Sequence, residues 1–72
     1  MEAEEILAQR LKAYRDTMGY TQENMAYLLG LSTKGYRQIE TCKVSTTLRT
    51  LSKISEVTEM SLVALLSRKE SE

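Results

Sequence analysis

Seventy-two residues hold one domain, and 42% hydrophobic with 28% charged residues describes an ordinary globular chain with a small core. The formal charge is zero, histidine is absent, and cysteine and aspartate occur once each, as Cys42 and Asp16. These counts exclude a histidine-based triad and an internal disulfide; Cys, His and carboxylate ligands do not cluster as a zinc site needs, and the three glycines, Gly19, Gly30 and Gly35, make no glycine-rich phosphate loop. The apolar runs are short and the start, MEAEEILAQR, is acidic and polar. Neither a membrane span nor a secretion signal is expected, so the expected location is a reducing cytoplasm. No enzyme and no cofactor are expected.

Periodic segments all read as helix, and strand-like alternation is absent. The spacing predicts a first helix over residues 4–18, with Leu7, Leu11, Tyr14 and Met18 on one apolar stripe that Ile6 extends. Glu2, Glu4 and Glu5 suit the positive end of its dipole. Arg10 and Lys12 fall on solvated faces, and Gly19 supplies the stop.

A second helix is expected over 21–29, capped by Thr21, with Met25, Ala26 and Leu29 inward and Tyr27 and Leu28 partly outward. Gly30 ends it, because glycine takes the left-handed conformation without a steric cost. Ser32 then caps a third helix, 33–40, that turns Tyr36 and Ile39 inward. Thr33, Lys34, Arg37 and Gln38 lie away from that inward face. Ala26 is small where the second and third helices cross. Two short helices joined at one glycine have the spacing of a helix-turn-helix.

Residues 41–46, TCKVST, form a loop in which Cys42 is expected to be small and half-buried, with no histidine to activate it. A fourth helix, 47–57, carries Leu48, Leu51, Ile54 and Val57 at a step of three, capped by Ser45, Thr46 or Thr47. A fifth begins at Ser61 and is expected to bury Leu62, Leu65 and Leu66, leaving Val63 for a partner. The polar tail 68–72 is expected to fray beyond a core of 4–67.

Charge is unevenly placed. Residues 33–53 carry Lys34, Arg37, Lys43, Arg49 and Lys53 against Glu40, a net +4, while residues 1–10 and 54–72 are each at −2. A zero total argues against a nucleic-acid binder, and the +4 segment argues for one.

The stretch Thr21–Glu40 resembles the helix-turn-helix of the phage repressor and Cro proteins and of the wider xenobiotic-response-element-type regulators. The resemblance runs without a gap from about Leu11 to Leu66. It is carried by Arg15, Thr21-Gln22-Glu23, Met25-Ala26, Leu29-Gly30-Leu31-Ser32, Ile39-Glu40, Leu48-x-x-Leu51-x-x-Ile54 and Met60-Ser61-Leu62-x-x-Leu65-Leu66. It implies an all-α, five-helix repressor-like domain that binds double-stranded DNA and regulates transcription, as a homodimer on two half-sites. The 43–47 loop and the turn 57–60 are the implied dimer surfaces.

The same resemblance pairs Arg15 with Glu40 as a structural ion pair and sets Gln22 against the DNA backbone or behind a base-reading side chain. Thr33, Lys34 and Gln38 take base-contacting positions, and Arg37 and Lys43 are further DNA-binding candidates. The side-chain chemistry agrees with these positions. Lys34 or Arg37 donates to guanine, Gln38 bonds adenine, and the Thr33 methyl packs on a thymine methyl. Arg37 is as well suited to a phosphate.

Two departures stand out. Gly35 lies inside a helix, where glycine costs about 1 kcal/mol relative to alanine. Cys42 and Thr46 replace the glycine and proline common in the family, so the loop is expected to leave the left-handed path. Those departures and the zero net charge support an alternative reading, a protein-interaction module of antitoxin or antirepressor type on the same scaffold.

Overall fold

The computed structural model describes residues 2–66; the tail 68–72 and the last residue of the expected core lie outside them. Within them the chain forms five α-helices, α1 (Glu2–Met18), α2 (Gln22–Leu29), α3 (Thr33–Glu40), α4 (Leu48–Thr58) and α5 (Leu62–Leu66). The all-α, five-helix architecture expected from the sequence is the one observed, with boundaries within two residues of those expected.

Each cap follows from a side chain that competes for free backbone N–H groups. The Thr21 hydroxyl accepts from Asn24 N at 3.0 Å, and the Asn24 side chain accepts in return from Thr21 N at 2.9 Å. Ser32 Oγ accepts from Gly35 N at 2.9 Å, Thr47 Oγ1 from Thr50 N at 3.2 Å and Ser61 Oγ from Ala64 N at 3.1 Å. Gly30 closes α2 at φ 71°. Gly35 has a local reason to be glycine: a Cβ there would stand 3.1 Å from the Ser32 hydroxyl that caps α3.

The core gathers Leu7 and Leu11 from α1, Met25, Ala26 and Leu29 from α2, Tyr36 and Ile39 from α3, Leu51 and Ile54 from α4, and Leu65 from α5. α3 packs against α1 and α2, α5 against α1 and α4, and α2 also against α4. Ile6 and Ala8 are buried beside the α1 stripe. Tyr14 and Tyr20 meet edge to face with ring centres 6.2 Å apart, at the corner where α1 hands over to α2.

Three expected core positions are corrected. Leu48 is 78% exposed. A step of three residues turns 300° on a helix, 60° short of a full turn, so a 48–51–54–57 stripe drifts half-way round. α4 instead buries Leu51, Ile54 and Thr58, a three-then-four spacing, and the Thr58 hydroxyl is satisfied by Ile54 O at 2.7 Å. Met18, the last residue of α1, is half-exposed. Leu62 is also nearly half-exposed; α5 has only five residues, and Leu65 alone of them is fully inside, with Leu66 packed partly against the core.

The loop after α3 also differs from expectation. Cys42 does take the left-handed conformation, at φ 61°. Cys42 N donates to Ile39 O at 3.1 Å and Lys43 N to Gln38 O at 2.8 Å, the paired bonds of a Schellman closure. The closure satisfies two helix-end carbonyls, and this outweighs the steric cost of a Cβ there. Cys42 is exposed rather than half-buried, and its Sγ lies 3.6 Å from Glu4 O. Ser45 Oγ donates to Glu4 Oε2 at 3.4 Å, so α1 anchors this loop through Glu4, a contact that the sequence did not signal.

A second non-glycine residue, Glu59, closes α4 at φ 61°, with its N–H on Ser55 O at 2.8 Å. Its side chain is exposed, so Glu59→Gly removes left-handed strain without removing packing. The expected result is a gain of about 1 kcal/mol, read as a thermal midpoint higher by roughly 4–8 °C.

Candidate nucleic-acid interface

Beyond the shared apolar core, one buried carboxylate links the α2–turn–α3 unit to α1. Glu40 is 3% exposed, at the C-terminal end of α3. Its Oε2 accepts from Arg15 Nε at 2.8 Å and from the Tyr36 hydroxyl; its Oε1 accepts from Arg15 Nη2 at 3.3 Å and from Gln22 Nε2 at 3.1 Å. Arg15 Nη1 also donates to Tyr20 O at 3.4 Å. The expected Arg15–Glu40 pair is therefore present and two-pronged, and it ties α1, the α1–α2 turn, α2 and α3 together. Neither Tyr36 nor Tyr20 was assigned to this network from the sequence. The signal for Tyr36 was its spacing of four residues from Glu40, which places both on one helix face.

Electrostatics follow from these contacts. Burial pushes the Glu40 carboxyl up, but the hydrogen bonds from Arg15, Tyr36 and Gln22 and the charge of Arg15 outweigh it and hold the carboxyl below the ordinary range. The hydrogen bond to Glu40 raises the Arg15 pKa further. Burial, then the hydrogen bond to Glu40, pushes the Tyr36 hydroxyl well above the usual phenol value.

The pairing changes the surface charge of residues 33–53. Their single acid, Glu40, is buried and neutralised, while Lys34, Arg37, Lys43, Arg49 and Lys53 are all exposed. The zero net charge of the chain thus hides a segment that faces solvent with cations and no exposed carboxylate of its own. Lys53 is partly drawn off, with its Nζ 3.9 Å from Glu56 Oε1.

The candidate DNA-binding residues fall in three settings. Lys34 and Lys43 are exposed, with no side-chain hydrogen bond or ion pair among the described residues; Thr33 and Gln38 are half-buried on α3. Arg37 is exposed, and its Nε donates to Gln22 Oε1 at 3.1 Å. Gln22, in the first turn of α2, is half-buried and engaged on both sides, by Arg37 and by Glu40. Gly35 is half-buried at the edge of this face, beside the Ser32 hydroxyl that caps α3.

Two helices joined at a left-handed glycine, the second displaying polar and basic side chains and locked from behind by an ion pair, form a helix-turn-helix domain. The helix-turn-helix family model matches residues 11–65, and the chain belongs to that family, in its Cro/C1-type branch. It is similar to the SPbeta prophage-derived uncharacterized HTH-type transcriptional regulator YonR of Bacillus subtilis (strain 168), with 38% identity over 61 residues. That match covers 85% of this chain and 56% of the relative, so the chain spans little more than half the length of the relative it matches. No solved structure matches the chain. Among the described residues, no helix is long and apolar enough to cross a membrane.

Proposed function

We propose that this protein binds double-stranded DNA sequence-specifically and regulates transcription, with α3 in the major groove. The observation that carries the reading is the solvent-facing charge of 33–53, five cations with the one acid turned inside. Family membership and the name of the relative, a transcriptional regulator, support it.

In this reading the N-terminal part of α3 meets base edges and α2 crosses the phosphate backbone, as in helix-turn-helix proteins generally. Thr33, Lys34 and Gln38 read bases. Arg37 and Lys43 neutralise phosphate, and Gln22 supports the interface. Arg15 and Glu40 hold α3 at its angle and touch no DNA. A single eight-residue helix reads few base pairs, so a homodimer on two half-sites supplies the remaining information. The 43–47 loop and the α4–α5 turn, 57–60, are the surfaces proposed for it.

The test is a salt series of binding to random-sequence duplex DNA. A dissociation constant of about 10⁻⁴–10⁻⁶ M that weakens steeply with salt is the expected result. Absence of binding at low salt and millimolar protein overturns the reading. The protein-interaction module then takes its place, and Tyr27, 85% exposed on α2, becomes the first residue to test against partners.

A further inference from the structure

We propose that Gln22 is a positioning residue that acts on DNA through Arg37 and makes no essential contact of its own; this rests on the DNA-binding reading above. A carboxylate only accepts hydrogen bonds and a guanidinium only donates them. A side chain that bridges the two must therefore offer a donor to one and an acceptor to the other, and a neutral amide does so. Gln22 Nε2 donates to Glu40 Oε1 at 3.1 Å, and Gln22 Oε1 accepts from Arg37 Nε at 3.1 Å. The chemistry of its neighbours fixes which way the amide faces.

The bonds form one line from the interior to the surface. Arg15 of α1 holds Glu40, Glu40 orients Gln22 of α2, and Gln22 holds exposed Arg37 of α3. Both amide atoms of Gln22 have a partner within the protein, which fixes the amide in place; the second N–H of Nε2 stays open, so the double-mutant cycle below separates action through Arg37 from a direct phosphate contact. Arg37 keeps its two Nη groups beyond the bond at Nε. An exposed arginine otherwise loses much rotamer freedom when it binds, and this tether removes part of that loss in advance. Because the tether leads to α2, the helix that crosses the DNA backbone in this fold class, the Nη edge of Arg37 is assigned to a phosphate rather than to a base.

A double-mutant cycle with Gln22→Met, which keeps the apolar stem and removes the amide, and Arg37→Ala tests this on random-sequence duplex at low salt. Gln22→Met is expected to weaken binding about 3- to 10-fold in the wild-type background and to have no effect when Arg37 is already alanine. Equal losses in both backgrounds overturn the inference while the DNA reading stands. Failure of the wild-type protein to bind duplex at low salt overturns the DNA reading and this inference with it. The second measurement needs no DNA: the Arg37 Nε–H signal of the free protein is expected to be ordered and slow to exchange by NMR, and to lose both properties in Gln22→Met. An Arg37 signal unchanged by that substitution overturns the proposed tether.

Discussion

Arg15→Ala is expected to cost about 3 kcal/mol of folding stability at neutral pH, because it leaves a buried carboxylate without its cation. A domain of this size has roughly 4–11 kcal/mol in total, so the loss will be visible in urea unfolding. Glu40 would keep only the Tyr36 hydroxyl and the Gln22 amide as donors. Replacing both partners by apolar residues, Arg15→Met with Glu40→Leu, is expected to cost less than Arg15→Ala alone, since no charge is then stranded.

The pH dependence gives the expectation a sign. The Glu40 carboxyl is held below its ordinary value of 4.5 in the folded protein. A carboxyl with a lower pKa folded than unfolded adds stability that is fully present above the unfolded value and lost as pH falls through the folded one. Without Arg15 the carboxyl loses its strongest hydrogen bonds and its counter-charge while burial is unchanged, so its ionisation favours folding less than in the wild type. The gap between wild type and Arg15→Ala should accordingly be widest near neutrality and close as the pH drops below the ordinary carboxylate range. A gap that is the same at both ends means that the ion pair is not the cause, and a variant with wild-type unfolding at pH 7 removes the structural role assigned to Arg15.

The second large effect concerns binding. Lys34→Ala combined with Arg37→Ala removes two exposed cations from α3, and the expected loss of affinity for duplex DNA is on the order of 100-fold at low salt. Each phosphate contact removed also lowers the steepness of the salt dependence by about one unit of log affinity per log salt. Arg37→Ala alone should weaken all sequences alike and flatten the salt slope, whereas Lys34→Ala should also relax discrimination at one position. A double variant that binds as tightly as wild type at every salt concentration means that α3 is not the DNA-facing helix. Both substitutions are at exposed positions and leave the core as it is, so stability is expected to move by less than about 0.5 kcal/mol.

The sequence by itself determined the number of helices, most of their caps and the helix-turn-helix. Apolar residues at helical spacing have one way to be buried together. Thr21, Ser32, Thr47 and Ser61 each carry the hydroxyl that a helix start needs, and Gly30 is the residue that a left-handed turn admits most readily. The +4 segment was likewise countable, and the Arg15–Glu40 pair was legible through the family resemblance.

Tertiary structure decided what periodicity leaves ambiguous. Whether Met18 and Leu62, at the end of α1 and the start of α5, are buried depends on what packs beside them, which no local pattern encodes. Cys42 and Glu59 adopt left-handed conformations because the hydrogen bonds that close α3 and α4 hold them there, against their own preference. The shared carboxylate of Glu40 joins Arg15, Gln22 and Tyr36 from three helices, and it both hides the segment's one negative charge and sets the line of bonds that ends at Arg37. Spacing along a chain fixes which face of a helix is apolar. Only packing fixes which side chains meet across helices, and here those meetings bury the one acid of a segment whose five cations stay exposed.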